Sequence, residues 1–542
     1  MPFETHLTQE MIDRFTASGD WGTETFYDLL CERVAQHPDR EAVVDAHTRI
    51  TYGELKDKID RTAAFLRAQG IEAGDVVTIQ LPNWVEFLYV FFSLELIGAV
   101  ANKISPDFRG REVEFILQFS NSRAYVCSKS FKNFDYPAMV KALRPKLPEL
   151  KFICVVDGAV DDTVSLVEGL SATAPIAQAE RVHMDANEIF RMAFTSGTTG
   201  NPKNVLHSFN TTVPGLRYLT RDMEVTENEV FLIYLPIGLN WGYLILTQAL
   251  MLGARVVLQD KFSGKTALEL IQREKVTFIA TAPASIIAML NEPELESFDV
   301  SSLRVVITGG ASCPVETLRE FGRRMSGRLI ELYGMLEDAY HTYTRFEDDP
   351  EEVNGTIGRC VDGMGLRLLD PDGNDVAPGE QGEIAAFGPS VHLGYNKNPG
   401  ANAEAFTDDG WFRTGDLGEF ADGKGNVRIV GRSKEIINRG GKKFFPREVE
   451  EILYTHPKVL HAAMVGVPDP RLGERNCLCL IPKDGAEASL DEFVDFLSGE
   501  VATYKLPERL EIFDELPFTP TGKLQRFVLA DQVLKRIEAE GA

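Results

Sequence analysis

The sequence is poor in positive charge. Its 56 Lys and Arg residues face 81 Asp and Glu residues, which gives a formal net charge of -25. Such a surface repels nucleic acids and anionic membranes on average, although a local basic pocket for a phosphate group is compatible with it. We therefore expect no nucleic-acid partner.

Paired cysteine motifs are also absent. The seven Cys residues are odd in number and scattered, so neither a disulfide framework nor a CxxC zinc pair is indicated. This usage predicts a reducing compartment, the cytoplasm. Cys477 and Cys479 are two residues apart, which on a strand places both side chains on one face, where we expect them to be buried.

Long uninterrupted apolar runs are lacking. The first fifteen residues are mixed in charge and contain no apolar core of a signal peptide. The stretch from Val230 to Ala254 has no charged residue, but Pro236, Gly238 and Asn240 interrupt it. We expect a buried strand, a loop and a buried helix there, and no membrane span.

A chain of 542 residues is too long for one hydrophobic core, and its patterns predict an α/β fold. Strand-like runs alternate with helical ones, as in VVTIQL (76–81) before VEFLYVFFSLELIG (85–98). We predict a large N-terminal domain, 1–432, of two parallel-type αβ sheets plus a small β-barrel-like subdomain at about 350–432. A hinge joins it to a small α+β C-terminal domain, 433–542, and the stretch 427–446 around this boundary reads as two strands around a Gly-Gly turn.

One loop stands out from this background. Ten of the eleven residues of FTSGTTGNPKN (194–204) are polar, Gly or Pro, and the loop follows a predicted strand, IFRMA (189–193). Hydroxyl groups, freed backbone N–H groups and the Lys203 cation suit a polyphosphate. The loop is no Walker A motif, because Pro202 separates Gly200 from Lys203. On composition alone, a flexible surface loop is an equal alternative.

The motif order along the chain resembles that of the adenylate-forming superfamily. The resemblance is carried by FTSGTTGNPKN, ITGGASC, ELYGMLED, WFRTGDLGEF, VGRSKEIINRGGKKFFPREVEE and PTGKLQR, each weak alone and specific together. YGMLED and INRGG look most like aryl-acid AMP ligases and cyclic-acid CoA ligases. The resemblance implies ATP- and Mg²⁺-dependent conversion of a carboxylic acid to acyl-AMP with release of pyrophosphate, then transfer to CoA.

The same resemblance implies which residues form the nucleotide site. Lys523, Glu337, Thr195 and Lys203 are the implied catalytic residues, and Glu337 is the implied Mg²⁺ ligand. The implied cofactor-binding residues are Thr195, Ser196, Gly197, Thr198, Thr199, Gly200, Lys203, Gly310, Ala311, Glu331, Tyr333, Gly334, Met335, Glu337, Asp416, Arg432 and Lys523. In the family the lysine of the last motif neutralises charge on the α-phosphoryl group during adenylation.

Plain structural alternatives stand beside these roles. Glu337 is also compatible with a first-turn helix acid, Asp416 with a turn residue and Lys523 with a solvated lysine. Two positions depart from the family pattern: Asn204 stands where Gly is common, which predicts a less mobile loop, and Leu336 replaces the usual Thr.

The second half-reaction is implied to depend on two further features. Lys434 occupies the family's hinge position, about which the small domain rotates after adenylation. Gly440 and Gly441 would then line a tunnel for the pantetheine thiol, since adjacent glycines suit a backbone close to a ligand. A tight hairpin is compatible with that role.

The acid pocket is implied to consist of Asn240, Trp241, Leu239, Gly309, Gly334 and Leu336. Its apolar members favour an aromatic, alicyclic or other apolar acid over a heavily hydroxylated one. Asn240 has two equal alternatives, binding a polar group of the substrate or hydrogen bonding to the backbone.

Other functions remain open at this point. The acceptor is either CoA or a separate carrier protein, and a homodimer is one alternative for the assembly. A binding protein on a degraded synthetase fold is opposed by the retention of Lys203, Glu337, Asp416 and Lys523.

Overall fold

A computed structural model describes residues 3–195, 202–432, 435–483, 486–519 and 522–541. No helix within these ranges has the length and apolar character needed to cross a membrane. The helices are α1 (Gln9–Ala17), α2 (Phe26–Gln36), α3 (Tyr52–Ala68), α4 (Glu86–Ile97), α5 (Gly110–Ser120), α6 (Tyr136–Leu143), α7 (Leu166–Ala172), α8 (Val213–Asp222), α9 (Asn240–Leu252), α10 (Gly264–Glu274), α11 (Pro283–Leu290), α12 (Val315–Arg324), α13 (Pro350–Val353), α14 (Pro399–Ala405), α15 (Pro446–Leu453), α16 (Leu490–Leu497) and α17 (Arg526–Gly541).

The strands fall into four main sheets and a short hairpin. They are β1 (Glu41–Val44), β2 (Arg49–Thr51), β3 (Val76–Gln80), β4 (Val100–Lys103), β5 (Ala124–Cys127), β6 (Ser130–Phe131), β7 (Phe134–Asp135), β8 (Phe152–Val155), β9 (Val164–Ser165), β10 (Ile189–Phe194), β11 (Asn204–Ser208), β12 (Val230–Ile233), β13 (Arg255–Leu258), β14 (Phe278–Thr281), β15 (Val305–Thr308), β16 (Arg328–Tyr333), β17 (Thr342–Tyr343), β18 (Arg359–Cys360), β19 (Gly365–Leu369), β20 (Gly382–Phe387), β21 (Phe412–Phe420), β22 (Val427–Arg432), β23 (Ile437–Arg439), β24 (Lys442–Phe444), β25 (Val459–Asp469), β26 (Gly473–Pro482) and β27 (Arg509–Ile512).

Two large sheets with parallel centres form most of the molecule, as the strand–helix alternation predicts. One has the order β18-β17-β16-β15-β14-β12-β13-β1-β2, and the other has the order β11-β10-β4-β3-β5-β8-β9. The neighbours from β16 to β1 and from β10 to β9 run parallel, and the edge strands beyond them run antiparallel. Strands covered on both faces are expected to be apolar, as β12 is throughout and β15 is up to its last residue, Thr308.

The uncharged stretch after Val230 forms a strand, a loop and a helix, so this prediction is confirmed. α9 is buried on nearly all sides, and its Tyr243 ring lies 5.1 Å from the Phe91 ring of α4. A helix that is apolar all round belongs in a protein core. α9 ends at Gly253, whose φ of 78° is a left-handed conformation that glycine adopts without strain.

The C-terminal third contains two smaller sheets. The antiparallel sheet β19-β20-β21-β22 corresponds to the predicted β subdomain, and β23 to β27 with α15, α16 and α17 form the α+β unit. The two strands predicted around a Gly-Gly turn in 427–446 are present as β23 and β24, and β22 is a third strand there that the pattern did not predict. β22 pairs with β21 in the first of these sheets, whereas β23 and β24 form a hairpin in the other. Cys477 and Cys479 are buried on β26, as expected.

Candidate active site

Two of the distant motifs meet at one edge of the nine-stranded sheet. β15 ends at Thr308, directly before Gly309, Gly310 and Ala311, and β16 ends at Tyr333, directly before Gly334. The strands are parallel neighbours, with Thr308 opposite Glu331. Loops that follow adjacent parallel strands therefore lie side by side, which is where ligands bind in open α/β sheets.

Asp416 is a buried carboxylate that contacts both Arg432 and Tyr333. It pairs with Arg432 across β21 and β22, with 2.7 Å between its Oδ1 and Arg432 Nε. The hydroxyl of Tyr333 donates to Asp416 Oδ2 over 2.9 Å. Asp416 is thus a strand residue and the turn alternative is wrong. Each carboxylate oxygen can accept a further hydrogen bond, as ribose hydroxyls would require.

Glu337 lies in a turn after β16, so the alternative of a first-turn helix acid is wrong. Its Oε1 accepts a hydrogen bond of 3.0 Å from the Tyr395 hydroxyl, and Lys203 Nζ lies 4.4 Å from the centre of the same ring. Burial raises the pKa of Glu337, while Tyr395 and Lys203 oppose that shift. Tyr395 therefore contacts both Glu337 and Lys203.

The carboxylate of Glu337 fits Mg²⁺ only if the substrate phosphates and water supply the other ligands. Within the described ranges, no cluster of three or more His, Cys, Asp or Glu residues could hold a metal. Mg²⁺ in nucleotide enzymes commonly takes one or two carboxylates together with substrate phosphates and water. A single acid beside a loop that is predicted to bind phosphates meets that requirement.

The stem of the loop 194–204 is closed by two hydrogen bonds. Thr195 N donates to the Lys203 carbonyl over 2.9 Å, and Lys203 N donates to Thr195 Oγ1 over 3.1 Å. Asn204 is buried in β11, and its Oδ1 accepts from Asn396 Nδ2. The predicted loop residues Ser196, Gly197, Thr198, Thr199 and Gly200 lie outside the described residues.

Lys523 of the C-terminal unit faces these groups. Burial and the nearby Arg432 cation lower the pKa of Lys523 to about 8, and Asp416, Glu435 and Glu337 partly oppose that shift. Lys523 is half-buried, so it is not a fully solvated lysine. The preceding Gly522 has a φ of 78°, and a Cβ there would lie 2.6 Å from Ala282 Cβ. Glycine thus lets the Lys523 turn approach the large domain closely.

The remaining nucleotide-site candidates shape the loops. Half-buried Glu331 accepts from Gly355 N over 3.1 Å, and desolvation raises its pKa to about 8. A Cβ on Gly334 would overlap the Ala339 carbonyl oxygen, and Met335 N donates to Asp338 Oδ1 over 2.8 Å. Gly310 has a φ of 75°, and Ala311 beside it is exposed.

The acid-pocket candidates contact one another in part. Trp241 Cη2 would lie 3.1 Å from a Cβ on Gly309, so glycine leaves room for the indole. Asn240 Nδ2 donates to the Met335 carbonyl over 3.4 Å. That contact is the backbone alternative foreseen for Asn240. Leu239 precedes the first residue of α9 and is half-buried. Leu336 packs against a cluster that contains Val205, Tyr395 and Phe412.

The two glycines of the predicted thiol tunnel form the turn between β23 and β24. Gly440 and Gly441 have φ angles of 61° and 82°, and Arg439 pairs with Lys442 across them. Two consecutive left-handed residues define a type I′ hairpin turn, so the hairpin alternative is present. The turn is exposed. Lys434, the predicted hinge, lies outside the described residues.

Comparison with known families decides among the classes of protein that share such a fold. A model described as AMP-binding enzyme matches residues 30–396, and one described as AMP-binding enzyme C-terminal domain matches residues 448–523. The chain belongs to the AMP-binding enzyme family. The predicted resemblance to adenylate-forming enzymes is thereby confirmed, and the chain is an adenylate-forming ligase.

Relatives of this AMP-binding enzyme span nearly its whole length. It is 33% identical over 529 residues to the medium-chain fatty-acid–CoA ligase of Escherichia coli (strain K12), covering 96% of this chain and 93% of the relative. It is 33% identical over 541 residues to the 2,3-dihydroxybenzoate-AMP ligase of Bacillus subtilis (strain 168), covering 99% and 98%. The anthranilate CoA ligase AuaEII, solved with anthranoyl-AMP, has the same fold, with a TM-score of 0.89, 24% identity, and 96% and 99% coverage.

Several residues of this site were missed in the sequence. Tyr395 joins Glu337 to Lys203, and Asp338 holds the Met335 backbone. Lys103 and Arg191 are buried next to Tyr243, close to Asn240. A charged residue in an otherwise apolar strand, as in IFRMAF (189–194), is the signal that could have revealed Arg191, whereas Lys103 follows the polar Asn102 in VANK (100–103) and gives a weaker signal.

Proposed function

We propose that this AMP-binding enzyme activates a carboxylic acid with ATP and then forms a thioester with CoA. A carboxylate oxygen attacks the α-phosphorus, the bond to the β-phosphate breaks, and pyrophosphate leaves. The thiol sulfur then attacks the acyl carbon, AMP leaves, and the thiol proton passes to solvent. The convergence of Lys203, Glu337, Asp416 and Lys523 on one place supports this proposal.

The proposed roles follow from charge and position. Lys203 and the loop before it hold the leaving phosphates, and Asp416 with Tyr333 binds the ribose hydroxyls. Lys523 neutralises charge that develops on the α-phosphoryl oxygens, and preorganised cations of this kind commonly supply the largest single contribution to catalysis. Glu337 would hold Mg²⁺, which when bound neutralises phosphate charge.

The thiol acceptor is tested separately from the first reaction. Pyrophosphate release is measured with ATP, Mg²⁺ and a panel of aromatic, alicyclic and fatty acids. Each acid is tested in three reactions, which contain CoA, a pantetheinylated carrier protein, or no thiol acceptor. We expect acid-dependent pyrophosphate and AMP, and acyl-CoA when CoA is added. ADP and phosphate as products would refute adenylation. Thioester on the carrier alone would refute the CoA assignment and leave adenylation standing.

A further inference from the structure

Two cations are buried beside the acid-pocket residues. Lys103, at the end of β4, has 1% of its surface exposed, and Arg191, in β10, has none. Both contact the ring of Tyr243 on α9, with Lys103 Nζ 4.6 Å and Arg191 Cζ 4.8 Å from its centre. Arg191 is also 3.2 Å from Asn240, a predicted pocket residue, through its Nη1 and the Asn240 Oδ1.

Neither cation has an anionic partner among the residues the structure describes. Lys103 Nζ and Arg191 Nε have no hydrogen-bond partner there, and neither does the buried Tyr243 hydroxyl. The other Arg191 contact is neutral, from Nη2 to Thr212 Oγ1 over 3.3 Å. Buried lysine and arginine are rarely left unpaired, since removing a charge from water is costly.

The neighbouring titratable groups do not supply the missing negative charge. Burial raises the pKa of Glu95 to about 8, which favours the neutral form of this carboxyl. Burial, with Arg191, His392 and Lys103, holds the pKa of His207 well below its usual range, so its imidazole is neutral. Burial and the Arg191 charge likewise lower the pKa of Lys103. The cluster is therefore deficient in negative charge.

Lys103, Arg191 and Tyr243 lie next to the predicted reaction site without being part of it. Asn240 joins Arg191 to the Met335 carbonyl, and His207 Nε2 lies 2.7 Å from the Leu336 carbonyl. Met335 and Leu336 directly precede Glu337. The predicted reacting end is already provided with Lys203, Arg432 and Lys523. The reacting carboxylate also loses its charge when the adenylate forms, which would leave the buried pair unpaired again.

We propose that Lys103 and Arg191 bind a second, non-reacting anionic group of the acid substrate, such as a distal carboxylate. The substrate class is then an acid with an apolar body, which suits Trp241 and Leu239, and an anion at its far end. This proposal rests on the proposed adenylation and names its substrate. The distal anion keeps its charge through both half-reactions and so remains paired with the cations throughout.

The test compares matched acids with the complete enzyme. Pyrophosphate release is measured for benzoate against isophthalate and terephthalate, cyclohexanecarboxylate against a ring dicarboxylate, and hexanoate against adipate. The monoamide of terephthalate controls for size without charge. Because a hydrogen bond to a charged group contributes about 1.5–3 kcal/mol, we expect the best dianion to exceed its plain partner in kcat/KM by roughly 10- to 100-fold.

Variants connect that preference to the two residues. Lys103→Met and Arg191→Met should each lower the ratio of dianion to plain acid by roughly tenfold or more. The ratio is taken within one preparation, so partial misfolding cancels, and Arg191→Gln serves if Arg191→Met does not fold. Lys265→Met, at a side chain that is 56% exposed, is the control and should leave the ratio unchanged.

Two results would overturn the proposal. One is activation of plain acids at least as well as every dianion in the wild-type enzyme. The other is an equal fall for both members of each pair in both variants, which would give the cations a structural role. In either case, acid-dependent pyrophosphate release would still support adenylation. Its absence with every acid would instead refute the proposed function itself.

Discussion

Replacing Lys523 with Ala separates the two half-reactions most sharply. Lys523 lies within the electrostatic range of Glu337, Asp416 and Arg432, the position that the adenylation step requires. Removing one preorganised charge donor costs about 10²–10³ in rate, which corresponds to about 2.7–4 kcal/mol. We expect adenylation to fall by at least that factor. Thioester formation from supplied acyl-AMP and CoA should change little.

The lowered pKa of Lys523 adds a pH signature. A lysine is charged below its pKa, so with a pKa of about 8 in the free enzyme its charge is lost as the pH rises. kcat/KM for adenylation should fall above that pH, by about tenfold between pH 7 and pH 9. Bound phosphates favour the charged amine, so the corresponding fall of kcat with rising pH should occur at higher pH than the fall of kcat/KM.

The assay measures both half-reactions of Lys523→Ala side by side across the pH range. Lys535→Ala is the matched control, because this lysine of the same unit is 71% exposed and should leave both steps unaltered. The basic limb near pH 8 should disappear in Lys523→Ala and persist in the control. If both half-reactions fall together, or neither falls, or the limb persists in Lys523→Ala, the assignment is wrong.

Four further predictions concern the rest of the site. Asp416→Asn should raise KM for ATP by roughly 10- to 100-fold, with Asp375→Asn as an exposed control, and an unchanged KM would remove Asp416 from the ribose site. Glu337→Gln should raise the Mg²⁺ concentration needed for half-maximal adenylation, and an identical metal titration would contradict the metal role. Gly441→Leu and Lys434→Pro should each spare adenylation and block thioester formation. Gly499→Leu, at another exposed glycine with positive φ, is the control for backbone strain. An equal loss of both half-reactions would indicate a folding defect instead. Asn240→Ala should destabilise the fold by about 1–3 kcal/mol in denaturant titration, because it removes the hydrogen bonds that Asn240 makes to Arg191 Nη1 and to the Met335 carbonyl, and an unchanged midpoint would show that those contacts contribute nothing.

Motif order and local periodicity determined the fold class and the family of this protein. The strand–helix alternation and the uncharged segment that became β12 and α9 are local patterns, and the structure and the family match agree with them. The residue roles and the domain boundary near Arg432 stay predictions.

Only the tertiary structure decided how these residues are partnered. The contact of Asp416 with Tyr333 joins residues 83 positions apart, and that of Asn240 with the Met335 carbonyl joins residues 95 positions apart. The sequence shows that Lys103 and Arg191 are charged, but whether an anion pairs with them depends on neighbours from distant parts of the chain. The cost of a buried charge is set by its surroundings, and those surroundings come from segments that are far apart in the chain.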